Sequence, residues 1–308
     1  MPYISHIIKD ELSQPLRLDR YLSETLKLLS RSQIKVRNLN AKVNGKEVKI
    51  SRLVKSQDHL EISWDNPSPV DLVPQDIPLE ILWEDEKCIV VNKQQGMVVH
   101  PGAGNHQGTL ANALCYNRLQ KGSAFPSSQR PGIVHRLDKD TSGLIICAWD
   151  EESHRMLSEQ FKNRKVKKYY LAIVCGMPNE IKGCIETFIA RDVKDRKKFT
   201  VSSKGKYAIS FYKVLKQWQS HSLILLRPKT GRTHQLRVHM RHIGCPILGD
   251  SIYGNKDSLF PNVTLMLHSK RLVITLPQET EQRVFTSIMP QRFFAIMEKL
   301  NKIEGKHE

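Results

Sequence analysis

Apolar residues along this chain gather in short runs that are separated by polar segments. Most runs are rich in β-branched and aliphatic side chains, which is the pattern of buried strands. The runs lie at 79–83, 88–92, 169–174, 209–214 and 223–227. Two more, 132–134 and 144–148, enclose the polar segment 135–143. The pattern predicts that this segment is a short polar excursion from the core of a sheet.

Helical spacing is rarer in this part of the chain. Asp150 is placed to cap a helix that passes through Met156, Leu157 and Phe161. A second apolar stripe, formed by Leu236, Met240 and Ile243, predicts a helix that Gly244 closes. Arg232 then lies on the turn between a strand and this helix, where catalytic groups are often displayed.

The first 64 residues have a different pattern. We expect a polar leader over 1–15, a small domain over 16–64, a proline-rich linker over 65–79, a larger domain over 80–300 and a tail over 301–308. In the small domain a helical stripe starts at Leu18, and a second helix begins at Ser30. Asn44-Gly45 predicts a tight hairpin, and a strand is predicted near residues 59–63. The second helix has a basic face, formed by Arg31, Lys35 and Arg37.

Charge narrows the class of partner. The chain has 308 residues, with 48 Lys and Arg against 31 Asp and Glu, and a formal net charge of +17. Such an excess favours a polyanionic partner, either nucleic acid or an anionic membrane. No apolar run spans a bilayer and the amino terminus has no signal-peptide pattern, so nucleic acid is preferred over membrane or a merely basic soluble protein. Six scattered cysteines without C-x-x-C spacing indicate reduced core residues, and hence a cytoplasmic protein.

The polar segment 135–143 carries the candidate chemistry. Arg136 and Asp138 stand two residues apart, and a carboxylate held beside guanidinium groups at the edge of a core suits a nucleophile or a base. Asp140 is the rival carboxylate. A Mg²⁺ site at this pair and a purely structural turn are the alternatives, and no further ligand for Mg²⁺ is evident nearby. His234, His239 and His242 lack the spacing of a closed zinc site.

Four segments together resemble the RluA family of RNA pseudouridine synthases. They are HRLDKDTSG at 135–143, NKQQGMVVHPG at 92–102, KYYLAIVCG at 168–176 and TGRTHQLRVH at 230–239. The small domain is similar to S4 RNA-binding domains through LSRSQIK and VNGKEVK, with Asn40 and Gln57 departing from the usual glycines. The resemblance implies an α+β catalytic domain with a mixed, largely antiparallel sheet, preceded by a small S4 domain.

The resemblance also implies roles for particular residues. Asp138 matches the catalytic carboxylate, which either attacks C1′ of the ribose or takes a proton from C2′. Tyr170 stacks on the flipped uracil or helps to remove the proton at C5, and Arg232 pairs with Asp138. Arg136 fills the base stack that the uridine leaves. Lys93 contacts RNA or braces the catalytic loop, and Gln94 replaces a proline that is commoner there.

The implied activity is an isomerisation that needs no cofactor and no metal ion. The sequence around His100-Pro101-Gly102, together with Asn112-Ala113-Leu114, is similar to that of family members acting on the large ribosomal subunit. This resemblance implies a 23S rRNA stem-loop as substrate. Alternatives are the same chemistry on another rRNA or a tRNA site, or a non-catalytic S4-type RNA-binding factor. We expect a monomer whose partner is RNA and not a membrane.

Overall fold

A computed structural model describes residues 2–9, 12–26, 28–29, 34, 37–65, 72–102, 104–122, 132–195 and 197–305. The chain forms two compact units, residues 1–71 and 72–308. Among the helices of the described residues, none is long and apolar enough to cross a membrane.

The first unit is a small sheet with a short helix. Its strands are β1 (Tyr3–Ile7), β2 (Leu16–Arg17), β3 (Asn40–Val43), β4 (Lys46–Glu47), β5 (Leu53–Val54) and β6 (His59–Ser63). Four of them pair antiparallel in the order β1-β6-β3-β4, and β2 pairs with β5. The helix α1 (Leu18–Arg20) continues into a π-helical turn, Tyr21–Thr25.

Two local predictions for this unit can be compared with the structure. The hairpin at Asn44-Gly45 is confirmed, because both residues have positive φ (53° and 76°) between paired β3 and β4. The predicted leader is wrong in one respect, since its residues 3–7 form β1 and pair with β6. This strand was not predicted because it contains no apolar run. Tyr3 and Ile7 are exposed, and the polar residues Ser5 and His6 lie between them. Most of the predicted second helix, including Arg31 and Lys35, lies outside the described residues.

The second unit is built on one ten-stranded sheet. The strands follow in chain order as β7 (Glu80–Glu84), β8 (Cys88–Lys93), β9 (Ser142–Ala148), β10 (Lys167–Cys175), β11 (Lys182–Arg191), β12 (Phe199–Val201), β13 (Lys206–Gln217), β14 (His221–Pro228), β15 (Leu267–Thr275) and β16 (Gln282–Thr286). Their spatial order is β12-β11-β13-β14-β10-β15-β9-β8-β7, with β16 also paired to β15. All pairs are antiparallel except β15 with β9, so the predicted mixed, largely antiparallel sheet is confirmed.

Helices accompany this sheet. They are α2 (Leu110–Gln120), α3 (Glu151–Lys162), α4 (Gln235–His242) and α5 (Gln291–Glu304). The predicted cap of α3 is confirmed, because the Asp150 carboxylate accepts a hydrogen bond of 2.8 Å from the backbone N–H of Ser153. The predicted end of the domain at residue 300 is four residues short, because α5 continues to Glu304 and buries Leu300 in the core.

The parallel pair β9–β15 fixes where the polar segment enters the sheet. Gly143, at the start of β9, has φ of +110° and faces the backbone of Ser269 on β15. A Cβ at this position would lie 2.3 Å from the Ser269 carbonyl oxygen, so only glycine permits this approach. The segment that precedes Gly143 is thereby held at the junction of β9, β15 and β10.

Candidate active site

The backbone of the loop that carries Asp138 is tied at two points. The Asp138 carbonyl accepts a hydrogen bond of 3.1 Å from the N–H of Thr141, which closes a turn. The Lys139 carbonyl accepts one of 3.0 Å from the N–H of Gly96, on the loop that follows β8. These contacts fix the direction in which residue 138 projects its side chain.

The buried side chain of Lys93 is hydrogen-bonded to the same loop. Its ammonium donates to the carbonyls of Gln94, Met97 and Lys139 at 2.9, 2.8 and 3.1 Å. The side chain is 1% exposed. Of the two predicted roles for Lys93, RNA contact is therefore wrong, because a buried ammonium with three carbonyl acceptors cannot reach a phosphate. Burial lowers the pKa of Lys93 to about 8, while the charges of Asp140 and Asp138 raise it.

The Asp138 carboxylate is paired with a buried arginine of α4. Its Oδ2 lies 3.3 Å from Nη1 of Arg237, and the Asp138 side chain is 18% exposed. Arg237 is itself held by Asp250 through a two-pronged contact, Nε to Oδ2 and Nη2 to Oδ1, both 2.7 Å. Asp250 has a fully buried side chain and also accepts backbone hydrogen bonds from Ile252 and Tyr253. Arg237 thus points one nitrogen at Asp138 while its other two are fixed.

The predicted pairing of Arg232 with Asp138 is wrong. Nε of Arg232 donates to the Tyr207 carbonyl at 3.0 Å, and the backbone N–H of Arg232 donates to Gln235. The physical reason is the start of α4 at Gln235: Arg232 precedes the helix and turns towards β13, whereas Arg237 lies within the first turns. The predicted strand-to-helix turn and the closure of the helix near Gly244 agree with the structure.

His234 stands beside the same carboxylate. It has a left-handed backbone, with φ of 55°, immediately before α4. Its Nε2 lies 3.9 Å from Oδ2 of Asp138, and its Nδ1 lies 2.8 Å from the Tyr253 hydroxyl. Burial lowers the pKa of His234, with Asp138 acting in the opposite direction. A neutral imidazole with its proton on Nε2 fits both neighbours, because Nδ1 then accepts from the tyrosine.

Tyr170 forms the buried wall of the site. It lies on β10 and is 7% exposed. Burial raises the pKa of Tyr170 above its ordinary range, a hydrogen bond with Ser269 lowers it, and the charge of Asp138 raises it. The hydroxyl is therefore neutral at physiological pH. Tyr170 lies close enough to Asp138 for the carboxylate charge to disfavour ionisation of the phenol.

The remaining predicted site residues are more exposed. Arg136 and Asp140 lie at the surface of the loop, on either side of half-buried Asp138. Arg37 is partly exposed in a turn of the first unit, and its carbonyl accepts a hydrogen bond of 2.8 Å from the N–H of Asp65. The structure therefore brings Asp138, Tyr170 and Lys93 together, and leaves Arg136 available at the rim.

Sequence reasoning gave no role to four residues of this site: His234, Arg237, Asp250 and Tyr253. A signal for Arg237 was present, because it stands three residues before Met240 on the helix and so faces the core with the apolar stripe. A buried arginine on such a face requires a carboxylate partner. Asp250 and Tyr253 lie in a loop whose sequence gives no comparable sign.

A half-buried carboxylate, an arginine fixed by a second carboxylate, and a buried neutral tyrosine are suited to isomerisation at a sugar–base bond. Comparison with known proteins agrees. A family model described as RNA pseudouridylate synthase matches residues 87–242. The chain belongs to the RNA pseudouridylate synthase family.

Individual relatives extend the match over nearly the whole chain. "Ribosomal large subunit pseudouridine synthase D" of Borreliella burgdorferi is 45% identical over 295 residues, covering 93% of this chain and 90% of that protein. An uncharacterized RNA pseudouridine synthase of Aquifex aeolicus is 41% identical, covering 91% and 92%. Among solved structures, "Human RNA Pseudouridylate Synthase Domain Containing 4" is 28% identical with a TM-score of 0.59, covering 72% of this chain and 93% of that one. The chain is accordingly an RNA pseudouridine synthase, and the alternative of a non-catalytic RNA-binding factor is not favoured.

Proposed function

We propose that this enzyme converts uridines of large-subunit ribosomal RNA, a 23S rRNA stem-loop, to pseudouridine, with Asp138 as the catalytic carboxylate. The observation that carries the proposal is the geometry of Asp138, whose charge is paired with Arg237 while part of the carboxylate remains open. The target is supported by the names of relatives, among them the enzymes called D of Borreliella burgdorferi and of Zymomonas mobilis, which is 40% identical over 89% of this chain.

The reaction breaks the bond from N1 of uracil to C1′ and rejoins the base through C5. The ionised Asp138 either attacks C1′ or removes a proton from C2′, and in both routes the anion must be aimed and shielded from water. Arg237 aims it, and the turn closed by Thr141 fixes its backbone. Bonding of C5 to C1′ releases the Asp138 ester or is followed by return of the proton to C2′, and loss of the C5 proton with gain of a proton at N1 completes the exchange.

Tyr170 contributes its ring to this reaction. Because its pKa is raised, the hydroxyl stays protonated and is a weak base, which favours stacking on the flipped uracil over proton removal. Tyr170 is anchored through Ser269 on β15, the strand that Gly143 pairs with where the catalytic loop ends.

Arg136 acts on the RNA instead of on the bond that breaks. Extracting a uridine from a stem costs a few kcal/mol. The exposed guanidinium of Arg136 is planar and fits the gap that the base leaves, or the phosphates beside it. Arg232, half-buried in the turn before α4, supplies a further positive charge for the backbone of the RNA.

The first unit supplies a second RNA contact. We assign it as an S4-type module because of its LSRSQIK and VNGKEVK segments and the positive net charge of the chain. Its contacts are Arg31, Lys35 and Arg37. The enzyme acts as a monomer in the cytoplasm, where ribosomal RNA is assembled, and size-exclusion chromatography with light scattering tests the oligomeric state.

The target is tested by mapping pseudouridine with carbodiimide across total RNA, with and without the gene. Loss of signal confined to large-subunit rRNA is expected, and loss confined to tRNA would overturn the target while leaving the reaction intact. Complementation with Asp138→Asn should fail, because the amide keeps the shape but not the charge. Complementation with Asp140→Asn should succeed, and equal failure of both would withdraw the assignment of Asp138.

A further inference from the structure

A second cluster of reactive side chains lies away from the active site, at the opposite end of β10. Cys175 ends β10 and His221 begins β14, and the two residues are direct partners in the antiparallel register. Asp257 reaches them from the loop between α4 and β15. Along the strand, Cys175 is about 17 Å from Tyr170 at the usual rise per residue. The cluster is therefore separate from the catalytic chemistry.

The three side chains present one donor atom each to a common point. Nε2 of His221 lies 3.0 Å from Oδ2 of Asp257, and Sγ of Cys175 lies 3.7 Å from the same oxygen. All three donor atoms lie within 4.8 Å of one another. In a tetrahedral zinc site, ligand atoms are roughly 3.3–3.7 Å apart, given the usual zinc–ligand distances. The distance from Cys175 to Asp257, 3.7 Å, lies within this range, and the distance from His221 to Asp257, 3.0 Å, is slightly shorter.

The outer contacts orient these donors. Oδ1 of Asp257 accepts hydrogen bonds from the backbone N–H groups of Leu259 and Phe260, at 2.9 and 3.0 Å, which leaves Oδ2 for the cluster. Nδ1 of His221 lies 2.8 Å from the Ser220 hydroxyl, which leaves Nε2 facing inward. The His221 ring is 2% exposed and packs edge-on against Phe260. Ligating histidines and carboxylates are held by such partners in protein metal sites.

We propose that Cys175, His221 and Asp257 form a zinc site, binding Zn²⁺ through Sγ, Nε2 and Oδ2, with water as the fourth ligand. The ligand set of thiolate, imidazole and carboxylate is one that Zn²⁺ accepts. Its two negative charges balance the ion, so no net charge is buried. Binding breaks the S–H bond of Cys175, forms the S–Zn bond and releases the proton to solvent.

The competing explanation is an ordinary His–Asp ion pair with a thiol beside it. In that state burial and the charge of Asp257 raise the pKa of Cys175 to about 12, so the thiol stays protonated. In that state the Cys175 thiol donates a hydrogen bond of 3.7 Å to Oδ2 of Asp257, so the thiol and the His221 imidazole share one carboxylate oxygen. A metal ion accounts for all three and for the direction of each donor atom.

Zinc at this point would act on structure. The loop between α4 and β15 bears Asp250 and Tyr253 near the active site and Asp257 at the cluster. Asp250 is the residue that fixes Arg237. A zinc ion that links Asp257 to the ends of β10 and β14 would therefore restrict the motion of the loop that contains Asp250. The inference does not depend on which RNA the enzyme modifies.

The test uses untagged full-length protein stripped of metal and titrated with Co²⁺, which takes zinc sites and has visible absorption. We expect one equivalent of Co²⁺ to give intense tetrahedral bands and a near-ultraviolet band from thiolate to cobalt, both removed by one equivalent of Zn²⁺. Cys175→Ser should abolish the thiolate band and weaken cobalt binding by more than the 10–100-fold typical of losing an outer-sphere partner. Cys184→Ser, which removes an exposed thiol on β11, is the matched control and should change neither.

Folding of each variant is checked by circular dichroism and thermal unfolding. Zn²⁺ should raise the midpoint of wild-type unfolding, and should leave that of Cys175→Ser unchanged. If Cys175→Ser does not fold, Asp257→Asn replaces it, since the amide oxygen still accepts the two backbone hydrogen bonds; weaker cobalt binding is then expected. Only weak octahedral absorption in the wild type would mean binding by surface histidines, and that result, or a thiolate band that survives in Cys175→Ser, would overturn the proposal.

Discussion

Replacing Arg237 with methionine removes the guanidinium between two carboxylates and keeps most of the side-chain volume. Arg237 is 6% exposed and Asp250 is fully buried, so the substitution leaves Asp250 as a buried charge without its cation. Removing one partner of a buried pair typically costs about 3–5 kcal/mol. Asp250 keeps its hydrogen bonds from Ile252 and Tyr253, which places the expected loss near the lower end, about 3 kcal/mol. The protein should still fold, since domains are stable by about 5–15 kcal/mol.

The effect on the chemical step is smaller and separable. The contact from Arg237 to Asp138 is 3.3 Å, longer than the 2.7–2.9 Å of a strong charged hydrogen bond. A hydrogen bond to a charged group contributes about 1.5–3 kcal/mol. We take the lower value because of the length, which corresponds to about a tenfold fall in rate. The measurement is single-turnover release of tritium from C5-labelled uridine in RNA, with enzyme in excess.

The double variant Arg237→Met/Asp250→Asn distinguishes stability from catalysis. It removes both buried charges, so urea unfolding should recover most of the lost stability. The rate should stay low, because Asp138 still lacks its partner. Arg232→Met is the matched control and should weaken RNA binding without slowing the saturated single turnover. The reasoning fails if Arg237→Met releases tritium at the wild-type rate, or if Arg232→Met slows the chemical step equally.

Three further outcomes are expected. The pKa of Lys93 is lowered to about 8 in the folded state from 10.5, so the folded state binds fewer protons between these values. Stability of the wild type relative to Lys93→Met should therefore rise with pH in that window, by up to ~1.4 kcal/mol per pH unit, in urea unfolding series; a flat difference would contradict the burial of an ammonium. Gly143→Ala should destabilise by at least about 2 kcal/mol, because the Cβ meets the Ser269 carbonyl at a φ that other residues avoid, and wild-type stability of this variant would refute the close approach. Neutralising three cations of the first unit should reduce the log–log salt slope of RNA affinity by about 2, at 0.7–0.9 per phosphate contact, with the saturated rate unchanged; the same slope would mean that this face only meets solvent. The three cations are Arg31, Lys35 and Arg37.

Local features of the fold followed from the sequence because each rests on neighbours in the chain. Most of the apolar runs became strands, Asn44-Gly45 became a hairpin, and Asp150 became a helix cap. The strand predicted at 132–134 is wrong, because Ile133 forms only an isolated bridge with Cys147. Each of these depends on residues a few positions apart, whose backbone preferences and side-chain reach are fixed by residue type. β1 was the exception, because it is defined by its pairing with β6 more than fifty residues away and not by buried side chains of its own.

Contacts between residues far apart in the chain could not be predicted from the sequence in this way. Arg237 and Asp138 are 99 positions apart, and the helix start at Gln235 decides which of two arginines meets the carboxylate. The cluster at Cys175 was missed for a similar reason: spacing rules for metal ligands look within one segment, whereas His221 becomes its neighbour only through the pairing of β10 with β14.

Asp138 is held from two directions by groups that RNA cannot reach. Lys93 fixes the backbone of its loop and Arg237 fixes its carboxylate, and both side chains are buried. If a different RNA binds at the protein surface, these two contacts stay unchanged. In the proposed reaction the exposed residues contact the RNA, and among them Arg136 stands two residues before Asp138. If, as proposed, reactivity depends on the buried residues and target choice on the exposed ones, surface residues can vary the target while the chemistry stays the same.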